Sequence, residues 1–273
     1  MKNIIAITSL LVAGTALANA ETVLLYDYAS ATDKDMSQNG WTYGGNYTTG
    51  QASYQGVMDA SNSTFNSSTG QRDAWRICDG TTSGVGYFAY KNISNESIFS
   101  EDSFTVTFNM QLDTTAYYTN GSNGSSNFFN GDTTRESFSL LVGDGTGIYW
   151  AKFGYDGSKI TVTDAATASS SATQLSSFSW NTLTDISITV DKVAGSAVFS
   201  VGDDSVSLTR STSTLSPYKN TVLVGTVNAS HQGDACFSSI SLSTVVPEPS
   251  AFGLLAGAGA LALVAARRRR RKA

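Results

Sequence analysis

Phe104-Thr105-Val106-Thr107-Phe108-Asn109-Met110-Gln111-Leu112 is apolar at every even position and polar at every odd one. A period of two sends successive side chains to opposite faces, so the stretch predicts a β-strand with one buried face. The pattern recurs along the chain. Phe138, Leu140 and Val142 make one run; Tyr149, Ala151, Phe153 and Tyr155 make the next, followed by Ile160 and Val162. Ile186, Ile188 and Val190 come after them, then Ala197, Phe199 and Val201, then Val206 and Leu208. Val222 with Val224 and Ile240 with Leu242 close the series. Turn residues separate the runs: Gly143-Asp144-Gly145, Asp156-Gly157, Gly195-Ser196 and Gly202-Asp203. Asp-Gly between alternating runs signals a hairpin. No part of this region carries a helical apolar period. Short strands at this spacing predict an all-β chain, an antiparallel β-sandwich or jelly roll. Residues 21–100 alternate less cleanly, and no strands are assigned there.

The two ends differ from this body. Met1-Lys2-Asn3 is a basic start, Ile4 to Leu17 is apolar, and Ala18-Asn19-Ala20 is a small-x-small site before Glu21. That order predicts a secretory signal peptide over residues 1–20, cut between Ala20 and Glu21. At the other end, Val246-Pro247-Glu248-Pro249 leads into an uncharged apolar run, Phe252 to Ala266. Arg267, Arg268, Arg269, Arg270, Arg271 and Lys272 then close the chain. As a helix the run spans ~22 Å, short of the ~30 Å hydrocarbon core. The basic cluster is expected to stay cytoplasmic, which places everything before it outside the inner membrane. The expected organisation is a signal peptide (1–20), one β-domain (21–245) and a tail (246–273).

Removing both ends takes away seven of 17 basic residues and one of 22 acids, leaving ten bases, 21 acids and a body charge of −11. Nucleic acid is not an expected partner, because phosphates demand clustered Lys and Arg. The two cysteines, Cys78 and Cys236, both lie in the exported body. An oxidising compartment makes a Cys78–Cys236 disulfide the expectation, with two buried thiols as the alternative. No Cys-x-x-Cys exists and His231 is the single histidine, so the soft-metal ligand sets are missing.

Pro247-Glu248-Pro249, a short hydrophobic helix and a basic end, in that order, resemble the PEP-CTERM sorting signal of Gram-negative bacteria. The resemblance covers about a tenth of the chain. It implies an exported protein held at the inner membrane by its tail. It also implies an exosortase-type enzyme that processes the tail near Pro247, Glu248 and Pro249 and passes the body to the cell surface or extracellular matrix. An ordinary membrane anchor is the alternative reading of the same residues.

The later strands are similar to a concanavalin A-like, laminin-G-type jelly roll, from about Ser103 to Leu242. The resemblance rests on the early Phe104–Phe108 strand and on Leu140-Leu141-Val142-Gly143-Asp144-Gly145. It rests also on the hairpin from Phe153 to Ile160, on Trp180 ahead of the Ile186–Val190 and Ala197–Val201 pair, and on a final Phe237–Leu242 strand.

Two Gly/Ser/Asn-rich stretches with interleaved aromatics are read as loops, Tyr117 to Gly131 and Tyr43 to Gly70. In the first, Tyr117, Tyr118, Phe128 and Phe129 offer flat apolar faces while Asn120 and Asn127 offer amides, the mixture that holds sugars. Loops of this length are functional or disordered. Catalytic signals are sparse. Glycosidases set two carboxyls across a sugar; here Glu101-Asp102 lacks a third acid and Glu136 stands alone. His231 has no G-x-S-x-G partner. Calcium is the one cofactor considered, through Asp144, Asp203, Asp204 and Asp234 at turns. The expectation is a non-enzymatic exported domain that interacts with glycan or exopolysaccharide. A purely structural matrix component is the second reading and a glycoside hydrolase the third.

Overall fold

The alternating stretch is a ten-residue strand, Ser103–Leu112, whose five even residues are all fully buried. It belongs to a computed structural model that describes residues 20–45, 53–58, 74–79, 86–112, 138–155, 159–167, 171–179, 182–212, 216–227 and 233–245. For 53–58, 78–79, 155, 216 and 234 the backbone alone is described. In chain order the strands are β1 (Thr22–Asp27), β2 (Thr42–Gly45), β3 (Ser53–Met58), β4 (Ala74–Asp79) and β5 (Tyr87–Asn92). Then come β6 (Ser103–Leu112), β7 (Phe138–Gly143), β8 (Ile148–Tyr155), β9 (Ile160–Asp164) and β10 (Thr173–Gln174). The last are β11 (Thr184–Asp191), β12 (Ser196–Val201), β13 (Asp204–Thr209), β14 (Thr221–Gly225) and β15 (Gly233–Thr244). Residues Glu21–Thr244 form one compact unit; the other, residues 1–20 and 245–273, lies almost wholly outside the described residues.

Two antiparallel sheets pack face to face. The first runs β13-β12-β11-β6-β15-β4-β3, with β1 also on β15; the second runs β10-β9-β8-β7-β14-β5-β2. This is the antiparallel sandwich the alternation predicts. Strands adjacent in space are often distant in sequence, as in a jelly roll: β6 lies between β11 and β15, and β14 lies between β5 and β7.

The core lies between the sheets. Phe104, Val106 and Phe108 of β6 align with Val190, Ile188 and Ile186 of β11. Across the sandwich, Phe138 meets Phe237 with ring centroids 5.8 Å apart, and Phe153 meets Phe199 edge-on at 5.7 Å. Each such buried side chain stabilises by about 1.5–3 kcal/mol.

β15 needs one correction of phase. Ala235 and Phe237 face the core from odd positions, Ile240 and Leu242 from even ones. The register against β6 shifts between Phe237 and Ser239, so Ser238 is the extra residue of a bulge. The bulge also divides the other edge of β15. β4 pairs with Gly233–Phe237 and β1 with Ser239–Ser243, while Tyr28 N–H donates to the Ser238 carbonyl at 2.8 Å.

The N-terminal part holds five strands that alternation did not reveal. The Tyr43–Gly70 stretch, read as a loop, contains part of β2 and all of β3; its other residues lie outside those described. Side-chain ties fix this end. Trp41 Nε1 and Lys91 Nζ both donate to the Leu25 carbonyl, at 3.0 and 2.9 Å. Among the described residues no helix is long and apolar enough to cross a membrane; the Phe252–Ala266 run lies outside them.

Candidate functional site

The centre of the second sheet is apolar on both faces. β7 and β14 are buried at every position. Their core-facing side carries Leu140, Val142, Val222 and Val224. On the outer side Leu141 and Leu223 join Phe88 and Ile148 in a separate apolar layer, packed against Tyr90, Trp150, Tyr218 and Val227.

Register lays this layer out in rows. Thr42, Tyr90, Leu223, Leu141 and Trp150 align across β2, β5, β14, β7 and β8. The next row is Gly44, Phe88, Gly225, Ser139, Lys152 and Thr163, reaching β9. From Tyr90 to Trp150 is three strand spacings, about 14 Å.

Glycines make room for the rings. Gly225 has φ +133°, and a Cβ there would lie 2.5 Å from the Phe88 Cα. At Gly143 a Cβ would lie 2.2 Å from the Lys219 carbonyl oxygen, so the 216–220 turn crosses the face directly on backbone. That turn delivers Tyr218. Its ring meets Phe88 edge-on at 5.7 Å and Tyr90 at 5.4 Å. Burial, with neighbouring Tyr90, pushes the Tyr218 hydroxyl up from its ordinary range.

Trp150 forms the other end of the layer. Its Nε1 donates to Ser139 Oγ at 2.9 Å, which fixes the indole against β7. Lys152 Nζ lies 5.5 Å from the centre of the Trp150 ring, within cation–π reach. Burial pulls the Lys152 ammonium below its ordinary value. Tyr90, Trp150, Lys152 and Tyr218 all remain partly exposed. Rings, hydroxyls and an ammonium are groups that hold a ligand.

None of these residues was singled out from the sequence. A signal was there: Tyr87-Phe88-Ala89-Tyr90, Leu140-Leu141-Val142 and Val222-Leu223-Val224 are apolar at both parities. Such runs mark strands covered on two sides.

The residues that were singled out fare differently. Tyr117, Tyr118, Asn120, Asn127, Phe128 and Phe129 lie outside the described residues, as do Glu136, Trp180 and His231. So do Pro247, Glu248, Pro249 and Arg267, Arg268, Arg269, Arg270, Arg271 and Lys272. Ala20 and Glu21 are described and exposed, and Glu21 N–H donates to Thr244 Oγ1 at 3.0 Å. The cysteines fall on neighbouring strands, Cys78 opposite Asp234 and Cys236 opposite Arg76. They are offset by two residues, a diagonal where Cα atoms are ~7–8 Å apart, at the limit for a disulfide. Cys236 is buried, and the Cys78 side chain is outside the description.

Two of the turn carboxylates considered for calcium, Asp144 and Asp204, are occupied separately, and the Asp234 side chain is outside the description. Asp144 is buried and pairs with Arg210 Nε at 2.7 Å; it accepts from the Tyr149 hydroxyl and from the N–H groups of Thr146 and Gly147. Asp204 accepts from Ser176 N–H and Oγ–H and from Ser177 N–H. Among the described residues no three acidic, His or Cys side chains gather where a metal could be held.

Comparison with known proteins adds the fold and the tail. A carbohydrate esterase from the Shiga toxin-encoding bacteriophage phi24B superposes with a TM-score of 0.52 at 12% identity, covering 83% of this chain and all of that one. A Bauhinia forficata lectin in complex with GalNAc gives 0.41 at 11%, covering 82% and 98%. The CBM2 module of an evolved Dit from Lactobacillus casei BL23 phage J-1 gives 0.38 at 10%, covering 84% and 99%. At these identities the first likeness is one of fold alone. No curated protein matches the chain. Residues 245–271 match the PEP-CTERM protein-sorting motif, which marks an exported protein sorted to the cell surface with an exosortase as partner.

Proposed function

We propose that this chain is an exported surface protein whose body binds glycan without chemistry, on the outer face of the second sheet. The observation that carries the reading is the aromatic layer of Tyr90, Trp150 and Tyr218, partly open to solvent and packed on buried Phe88, Leu141 and Leu223. Sugar rings present flat C–H faces that stack on aromatics. Their hydroxyls pair with groups such as Thr163 and Thr42 on the same rows. The sites at the chain ends complete the proposal. Signal cleavage falls between Ala20 and Glu21, the 252–266 run holds the body at the inner membrane, and the exosortase reads Pro247, Glu248 and Pro249.

A glycan array probed with the exported protein tests the binding reading. Binding that falls at least about tenfold in Trp150→Ala, with the unfolding midpoint held, supports it. Equal binding by the variant, or a blank array, overturns it. For the tail, replacing Pro247, Glu248 and Pro249 by alanine leaves membrane insertion intact and stops release. Release at the unaltered rate would make the tail a plain anchor.

A further inference from the structure

We infer that the glycan held on this face is anionic, a polysaccharide bearing carboxylates, with Lys152 as the residue that recognises its charge. The inference rests on the glycan reading above and names its ligand class.

Charge is distributed unevenly over the body. Its 21 acids outnumber ten bases, yet the described strand positions on this outer face carry no carboxylate. The Tyr90 row consists of Thr, Tyr, Leu, Leu and Trp; the Phe88 row consists of Gly, Phe, Gly, Ser, Lys and Thr. One row further, Gly154 pairs with Thr161 and Thr161 with Gln174. The acids of the same strands turn elsewhere: Asp164 points inward, where it accepts from Thr209 N–H at 3.0 Å and Thr167 Oγ1 at 2.7 Å. Asp144 is consumed by Arg210 and Tyr149.

β8 carries a cation instead. Lys152 sits at its middle. Lys219 is exposed on the turn that crosses Gly143, near the Ile148 end. Lys159 is exposed beside the Tyr155–Ile160 end. Among the described strand positions of this face Lys152 is the one charged residue, and a local field of one sign concentrates the opposite charge despite the net charge of the whole. The setting of Lys152 favours the same ligand. Its side chain is partly buried, with the ammonium 5.5 Å from the centre of the Trp150 ring. A carboxylate arriving there makes a charge-assisted hydrogen bond, about twice as strong as a neutral one. Trp150 stacks on the sugar while Lys152 meets its acid group, so one monomer is read twice.

The experiment compares polygalacturonate with its fully methyl-esterified form, on the exported protein, at low and high salt. The acid form is expected to bind at least about tenfold tighter, and the advantage shrinks as salt rises. Lys152→Met is expected to remove that advantage and Lys152→Arg to keep most of it. If both forms bind alike, or the advantage persists in Lys152→Met, the charge inference fails while glycan binding stands. If neither form nor any glycan on the array binds, the glycan reading fails and takes this inference with it.

Discussion

The outer faces of the two sheets follow opposite rules. On the first sheet, register aligns Ser205, Ser200, Ser187, Thr107 and Ser241 in one row. Beside it run Ser207, Val198, Thr189, Thr105 and Ser243. The hydroxyls pair with each other, as Thr105 and Thr189 do at 2.9 Å, and Asn109 donates to Asp185 at 2.7 Å. Short β-branched and hydroxyl side chains suit a pleated surface that faces water. On the second sheet the equivalent positions are Tyr90, Leu223, Leu141 and Trp150. One face satisfies solvent; the other sets apolar rings against it. Both sheets share one core, so burial of the core does not explain the difference. The second face carries its own apolar layer under the 216–220 turn, and it is the face proposed to take a ligand.

The largest test of this contrast is a charge placed on each face. Leu223 is fully buried beneath the rings of the second face. Leu223→Asp is expected to cost more than about 4 kcal/mol, because an unpaired carboxylate has no water there. Thr107→Asp, at a central position of the hydroxyl face, is expected to cost under about 1 kcal/mol. Denaturant midpoints at fixed m-value measure both. Similar costs would mean the two outer faces are equally wet.

A smaller and opposite effect is expected at one corner of the first sheet. Gln111 occupies an odd, polar position of the strand that decided the fold, yet it is wholly buried, and among the described residues its amide nitrogen and oxygen have no hydrogen-bond partner. It lines up with buried Cys236 and buried Arg76. Gln111→Met keeps the volume and removes the unsatisfied amide, so it is expected to stabilise by about 1–2 kcal/mol. A destabilised variant would show that the amide is satisfied in solution by a group that binds there.

These residues also mark how far the sequence could be read. Alternation located β6 and β11 because each has one clean apolar parity. It understated β7 and β14, whose second parity is apolar too, and Gln111 broke the rule at the other extreme. Residues 21–100 stayed opaque for a different reason. Their strands are held by side-chain ties such as Trp41 and Lys91 on the Leu25 carbonyl, and β1 leaves Leu24 58% exposed. No periodicity encodes such long-range bonds. The tail was legible because its three parts occur in a fixed linear order. The aromatic face was not, because it gathers β5, β7, β8, β14 and the 216–220 turn from across the chain, and strand order is invisible to local pattern.

The smallest expected effect closes the comparison from the hydroxyl side. Thr107→Val is isosteric and keeps the β-branched shape that a central strand prefers. Its hydroxyl is on the solvent side, between Ser187 and Ser241 in register, where water replaces any bond it makes. Stability is therefore expected to move by less than about 0.5 kcal/mol, and glycan binding not at all. Ser241→Ala extends the test one strand further along the same row. If either change weakened glycan binding while Trp150→Ala did not, the ordered hydroxyls rather than the rings would be the ligand surface. The two faces would then exchange roles. Unchanged binding in both hydroxyl variants, beside its loss in Trp150→Ala, assigns the ligand to the second sheet.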